Sequence, residues 1–396
     1  MATESKKKSN QKKITVMQII PALESGGVER GVIDIAKSLK DNGFTALVVS
    51  GGGAMTYQLR EAGIEHIKLA VNSKNPLTIY KNIGKIAALI KEYQVDIVHV
   101  RSRAPAWSAY YACKKTGCKL VSTFHGSYSL CLFGKSKSSL KMLYNSIMLK
   151  ADKIIAVSNF IKNHIQENYS KYLENSTSKL TVIHRGADLD YFSVSKVSKE
   201  RIIALSKIWD LPDDKNIIML PGRITAWKGH EFLIDALSKV KNTDFLCLIV
   251  GSKKGHELYE KRLITRIESN NLAGKVRIVD AVKDMPAAYM LCDLVISASI
   301  RPEAFGRIAI EAGAMSKIAI ATNIGGSLET IINNKTGFLV ESENIQDLAD
   351  KIDYALTLNT AKKEQIAQNA QNHIALNFSN KKMCEQTIKL YKQVLK

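Results

Sequence analysis

Leu294-Val-Ile-Ser-Ala-Ser-Ile-Arg-Pro-Glu303-Ala-Phe-Gly306-Arg-Ile-Ala-Ile-Glu311 reads as a short buried strand, a polar loop and the opening of a helix. Leu294 to Ser297 is compact and apolar, Pro302 breaks any regular element, and Ile308 and Ile310 resume an apolar pattern beyond Gly306. Glu303 therefore falls in the loop and Glu311 in the second helical turn. The first-turn amides of Phe305, Gly306 and Arg307 are suited to a phosphate or a sugar hydroxyl, and Gly306 lets a ligand come close. Two carboxylates so placed can accept hydrogen bonds from vicinal hydroxyls on a ribose or a hexose. Either carboxylate alone has an equally simple structural account: Glu311 can pair with Arg307 one turn away, and Glu303 can cap the helix.

The same strand-then-helix rhythm extends outward in both directions. Residues 14–20, 45–50, 97–100, 119–124, 154–158 and 180–184 are short and rich in β-branched residues, with helical stretches such as Val28 to Asp41 and Leu77 to Tyr93 between them. A second series follows at 216–220, 245–250, 276–279, 294–297 and 318–321, separated by helical segments such as His230 to Lys241 and Gly255 to Asn270. Alternation of this kind predicts an α/β protein with two doubly wound, Rossmann-like domains and a cleft between them. The expected divisions are a basic tail (1–13), a first domain (14–190), a second domain (191–376) and a C-terminal helix (377–396) crossing back. The polar segment Ser193 to Asp214, near the join, is expected to act as a hinge region.

Ligands of open α/β sheets bind beyond the carboxyl ends of the strands, which singles out four more loops. Leu220-Pro-Gly-Arg223-Ile-Thr-Ala-Trp-Lys228-Gly-His230 offers a planar guanidinium and a mobile ammonium for phosphate oxygens, or two ordinary surface cations. Asn323-Ile-Gly325-Gly326-Ser-Leu-Glu329 implies close approach of backbone to something, or a plain turn. Gly26-Gly27 follows the first strand but lacks the G-x-G-x-x-G spacing, and Gly51-Gly52-Gly53 stands where a ribose-binding acid would end the second strand. Dinucleotide binding is disfavoured. His125, beside Gly126 at a strand end, is a polar contact with a pKa suited to proton transfer, or a structural histidine.

The chain of 396 residues has a formal net charge of +20, unevenly placed. Residues 1–200 hold 30 Lys and Arg against 15 Asp and Glu, and no acid lies between Asp96 and Asp152. Such a field suits polyanions, or belongs to solvated lysine-rich faces. Within it, Leu140, Leu143, Ile147 and Ala151 fall on one helical stripe. The six cysteines have no CxxC pair and read as scattered reduced thiols. No run approaches a spanning helix, and the N-terminus lacks the apolar core of a secretory signal.

Taken together, these loops resemble glycosyltransferase family 4, whose members have the two-domain GT-B fold, and the resemblance extends from about Ile14 to the C-terminal helix. Glu303 and Glu311 match the E-x7-E signature, Gly222-Arg223 with Lys228-Gly229 the diphosphate element, and Gly26-Gly27 the Gly-rich first loop. Val157-Ser158 and Gly186-Ala187-Asp188 match further landmarks, although His184-Arg185-Gly186 departs from the usual Pro-Asn-Gly.

The resemblance implies a retaining transfer from a nucleoside-diphosphate sugar. Arg223 and Lys228 would neutralise the departing diphosphate, Glu311 would hold the ribose, and Glu303 the donor sugar. Donor contacts would also come from Gly26, Gly27, Ala304, Phe305, Gly306 and Arg307, and from Val282 through its backbone at the base. His125 would stand near the transferred sugar or the acceptor. No cofactor and no metal are expected, because cationic side chains replace the divalent ion. The acceptor is expected to be a glycan or lipid-linked, in envelope polysaccharide or lipopolysaccharide synthesis, with the protein at the cytoplasmic face of a membrane whose anionic surface suits the basic domain. The competing readings are another GT-B enzyme (an inverting transferase or an epimerase), a non-catalytic glycan-binding relative and a polyanion-binding protein. No nucleic-acid motif supports the last.

Overall fold

The computed structural model describes residues 13–24, 26–128, 139–173, 177–252 and 255–396. The basic tail up to residue 12, Cys131, Lys135 and Lys137 lie outside the described residues. Two compact units make up the chain. One takes the residues up to Ala156 with Lys162–Ile183 and Cys384–Lys396, and the other takes Val157–Ile161 with His184–Met383.

The first unit is built on a wholly parallel seven-stranded sheet: β1 (Thr15–Ile19), β2 (Thr45–Ser50), β3 (Glu65–Lys68), β4 (Ile97–Val100), β5 (Lys119–Phe124), β6 (Lys153–Ala156) and β7 (Leu180–Val182). Their order is β3-β2-β1-β4-β5-β6-β7, with Val16 opposite Ala46 on one side and Ile97 on the other. The central strands are buried on both faces, as parallel strands covered by helices must be. Helix Gly27–Asp41 turns Val32, Ile33, Ile35, Ala36 and Leu39 inward. Helix Pro76–Glu92 starts where Pro76 needs no amide partner and Asn75 accepts a hydrogen bond from the Leu77 amide at 2.9 Å. Helix Asn380–Val394 sends Tyr391 into this core, its hydroxyl 2.5 Å from Nδ1 of the buried His99.

The second unit repeats the plan with six parallel strands: β8 (Asn216–Pro221), β9 (Phe245–Val250), β10 (Val276–Val279), β11 (Leu294–Ser297), β12 (Ile318–Thr322) and β13 (Phe338–Val340). The order is β10-β9-β8-β11-β12-β13. Alternate residues serve opposite faces. Ile218, Leu220, Ile296 and Ile320 pack toward helices His230–Leu237 and Ile345–Thr357, while Met219, Val295 and Ala321 pack toward Met285–Leu291 and Arg307–Ala314. Each such Leu or Ile, removed from water, contributes about 1.5–3 kcal/mol.

Both sheets reverse direction of winding once, between β1 and β4 in the first unit and between β8 and β11 in the second. Those switch points are where open α/β sheets hold ligands. Three expectations change. The short edge strands β3 and β13 have no place in the sequence pattern, since Ile67 is the one apolar residue of Glu65-His-Ile-Lys68 and Phe338-Leu-Val340 has three residues. The segment from Ser193 contains a regular helix, Lys199–Trp209, with Leu205 and Trp209 in the core. The stripe from Leu140 to Ala151 is divided: helix Ser139–Ser146 ends before Ile147 and Ala151, which are buried, while Leu140 is 75% and Leu143 51% exposed. A tight 3-10 turn at Ile147–Lys150 rotates the later residues onto a different side.

Candidate functional site

β8 and β11 are paired neighbours, Leu294 opposite Ile218, so the loops that follow them leave the same edge on either side of the second switch point. The two loops are locked together. The Ile300 amide donates to the Trp227 carbonyl at 2.9 Å, and a side chain on Gly229 would overlap the Ala298 carbonyl oxygen. This close approach carries Lys228 Nζ to 2.7 Å from Glu303 Oε1, which also accepts from Ser299 Oγ at 2.5 Å. Lys228 lies over the Trp227 ring as well, 4.6 Å from its centroid. The Lys228 and Glu303 side chains are 11% and 12% exposed. Lys228 is thus a fixed charge rather than the mobile one its sequence context suggests. Arg223 is exposed, near the start of the same loop.

A third loop, after β12, supports the Glu303 segment. The Gly326 amide donates to the Glu303 carbonyl at 2.8 Å, and Glu303 and Gly325 form an isolated parallel bridge. Any side chain on Gly326 would collide with the Phe305 backbone. The close backbone approach implied by this glycine pair is real, and what approaches is the chain's own Glu303-Ala304-Phe305 loop. Ala304 is half-buried, Phe305 is buried, and Gly306 caps helix Arg307–Ala314 in the left-handed region with no side-chain cap on its first turn.

Glu311 sits in the second turn of that helix, as expected. Arg307 Nη2 reaches its Oε1 at 2.5 Å, and Tyr289 Oη lies 3.1 Å from its Oε2. The one-turn ion pair of the structural account does form, but Glu303 does not cap the helix and turns instead to Lys228 and Ser299. Burial, then the charge of Glu311, raise the Tyr289 hydroxyl well above its ordinary pKa, so it stays protonated and donates. Val282, in the loop after β10, is half-buried against the core.

Glu329 follows the glycine pair and gathers four donors. It accepts from the Asn159 and Phe160 amides and from Asn159 Nδ2, and His184 Nε2 lies 2.8 Å away. Burial alone would raise its pKa; the bonds from His184, Asn159 and Phe160 outweigh this and hold it below the usual carboxylate range. The His184 ring packs beside Phe305 and Phe378. The departure at His184 thus braces the Glu303 loop from behind.

In the first unit, Gly26 and Gly27 follow β1 at its switch point, and the Glu29 carboxylate lies over Gly26. His125 is half-buried at the end of β5. The fully buried histidine of this unit is His99, held by Tyr391 and by Thr123 Oγ1 at 2.7 Å. Burial and then Arg101 depress its pKa well below 6.5, so it is a neutral structural residue.

Ser299, Tyr289 and Glu329 carry no role in the sequence reading. Ser299 had a detectable signal, a hydroxyl at a strand end four residues before Glu303. Tyr289 had none, because it lies in another helix.

Residues 202–373 match the family described as Glycosyl transferases group 1, and residues 25–191 match Glycosyltransferase Family 4. A glycosyltransferase from Rickettsia africae is 45% identical in a structural match covering 97% of this chain and 99% of that one, with a TM-score of 0.88. An uncharacterized glycosyltransferase of Methanocaldococcus jannaschii is 30% identical over 83% of this chain and 84% of its own length. The Anabaena protein HepE, solved with UDP, is 24% identical over 96% of this chain and 100% of that chain, with a TM-score of 0.81.

Proposed function

The chain belongs to the glycosyl transferases of group 1, family 4, and from that premise we propose that it moves a sugar from a nucleoside-diphosphate sugar to a glycan or lipid-linked acceptor with retention of anomeric configuration. Membership of the family makes it a glycosyl-transferring enzyme with the GT-B fold. The observation that carries the finer reading is the Lys228–Glu303–Ser299 cluster together with a braced Glu311, on the loops after β8 and β11 and the helix that follows β11.

Breaking the anomeric bond leaves a diphosphate with growing negative charge, and fixed cations lower that barrier most when no reorganisation is needed. Lys228 is already in place, and Arg223 brings a second cation from the same loop. When a diphosphate shares Lys228, Glu303 is released to accept hydroxyls of the donor sugar. Glu311 takes the ribose, and the Gly306 end of helix Arg307–Ala314 faces the donor's anionic part. Gly26 and Gly27 are assigned to the donor, the Val282 backbone to the base, and His125 to the transferred sugar or acceptor. Cationic side chains serve where other transferases use a divalent ion, so EDTA should leave turnover unchanged.

The basic first unit supports an envelope-glycan role at an anionic membrane surface. Leu140 and Leu143 are exposed on helix Ser139–Ser146 alongside Lys141. Among the described residues, no helix is long and apolar enough to cross a membrane.

A thermal-shift screen with UDP-, GDP-, ADP- and CMP-sugars tests the donor reading, since a bound donor raises the melting temperature by linkage. One class should respond, and the anomeric configuration of the product, read by NMR, should match the donor's. Silence to all four would overturn the donor assignment. Glu303→Ala, Arg223→Ala and Lys228→Ala should each abolish transfer, and wild-type turnover in any two would sink the site.

A further inference from the structure

Glu311 is held at both oxygens by groups of different origin. Arg307, from its own helix, takes Oε1, and Tyr289, from helix Met285–Leu291, takes Oε2 at 3.1 Å. A carboxylate gripped at only one oxygen can still swing about its Cγ–Cδ bond. Gripped at both, its plane is fixed, and each oxygen keeps a further lone pair to offer. Two parallel acceptor sites of this kind match the two donors of a cis-diol, as in a ribose with both its 2′- and 3′-hydroxyls.

We propose that the Tyr289 hydroxyl is a positioning group that orients Glu311 for two-point acceptance from a ribose, so that the site selects ribonucleotides over 2′-deoxyribonucleotides. This rests on the reading of Glu311 as the ribose ligand. Tyr289 is placed to do so without strain or mobility. Its ring is wholly buried and packs edge-on against Phe192, 5.9 Å between centroids, so the hydroxyl cannot wander. Arg307, by contrast, is about one-third exposed and can turn toward solvent. Of the two braces, Tyr289 is the rigid one.

The purely structural alternative is that Tyr289 only satisfies its own buried hydroxyl. Both accounts predict some loss of stability in Tyr289→Phe, so stability does not separate them. Selectivity between sugars does, because a group that merely fills the core has no reason to distinguish a ribose from a deoxyribose.

The experiment measures dissociation constants of UDP, GDP and ADP, each against its 2′-deoxy counterpart, for wild type, Tyr289→Phe and Glu311→Ala. Wild type should prefer the ribonucleotide by about tenfold or more, as expected when a hydrogen bond to a charged group is lost. Glu311→Ala should lose the preference. Tyr289→Phe should reduce it to within about threefold, with the donor KM rising more than kcat falls. A wild type that binds but does not discriminate would overturn the ribose assignment of Glu311 and this proposal with it. A wild type that discriminates, with the ratio intact in Tyr289→Phe, would overturn the positioning role alone. If Tyr289→Phe does not fold, Glu311→Asp provides the comparison, because it withdraws the carboxylate from Tyr289 by one methylene; a retained ratio there would equally overturn it.

Discussion

Replacing Lys228 by Met removes the cation from a pair that is 2.7 Å across and almost nine-tenths buried on each side. At an effective dielectric of about 20, the attraction at that separation is about 6 kcal/mol, most of it offset by the cost of dehydrating both ions. The pair therefore adds little to stability as a unit, but one member left alone is costly. Lys228→Met strands the Glu303 carboxylate with the Ser299 hydroxyl as its remaining partner and should destabilise the second unit by about 3 kcal/mol. Lys228→Met with Glu303→Leu removes both charges and should cost about 1 kcal/mol or less. The coupling energy expected from the double-mutant cycle is thus about 2 kcal/mol or more. Urea unfolding in a Trp107→Phe background reads the second unit alone, because Trp209 and Trp227 both lie in it. Transfer should be absent in Lys228→Met, in Glu303→Leu, the third arm of the cycle, and in the double variant, so stability and catalysis separate. Coupling below about 0.5 kcal/mol would refute the reasoning, since the two side chains would then not share a desolvated contact.

Other consequences are simpler to read. His230 is fully buried, and burial lowers its pKa from 6.5 to about 4. Between those values the unfolded chain binds the proton and the folded chain does not, so stability falls as pH falls, by about 3 kcal/mol at about 1.4 kcal/mol per pH unit. His230→Phe should flatten the pH dependence of urea stability between pH 7 and 4 by that amount; an unchanged slope would discount burial as the cause. Gly229→Ala should destabilise by at least about 2 kcal/mol because its side chain meets the Ala298 carbonyl. Gly84→Ala, in open space within helix Pro76–Glu92, should instead gain about 0.5–1 kcal/mol. Equal and opposite melting shifts are not required, but a reversed order would contradict the packing.

The two doubly wound units were legible because their signal is local. Strands such as Phe245–Val250 are buried on both faces by helices that precede and follow them in sequence, so each must be a continuous apolar run. The edge strands β3 and β13 have one neighbour each and need no such run, and the pattern of apolar runs passes over them. Candidate site residues were legible wherever strand ends announced them. Glu303, Lys228 and the Gly325–Gly326 pair stand in loops after apolar strands, and Glu311 in the second turn of the helix that follows one of them.

Sequence alone was enough to single out the loops of the candidate site, and the resemblance they compose named the family. It could not determine which groups those side chains touch. Lys228 and Glu303 are 75 residues apart and meet only because β8 and β11 lie side by side at the switch point. Tyr289 reaches Glu311, and His184 reaches Glu329, through packing that no spacing encodes. Strand and helix follow from the periodicity of neighbours, whereas the partner of a charge follows from which strands pair. That choice is made by burial over the whole sheet, and the tertiary structure alone decided it.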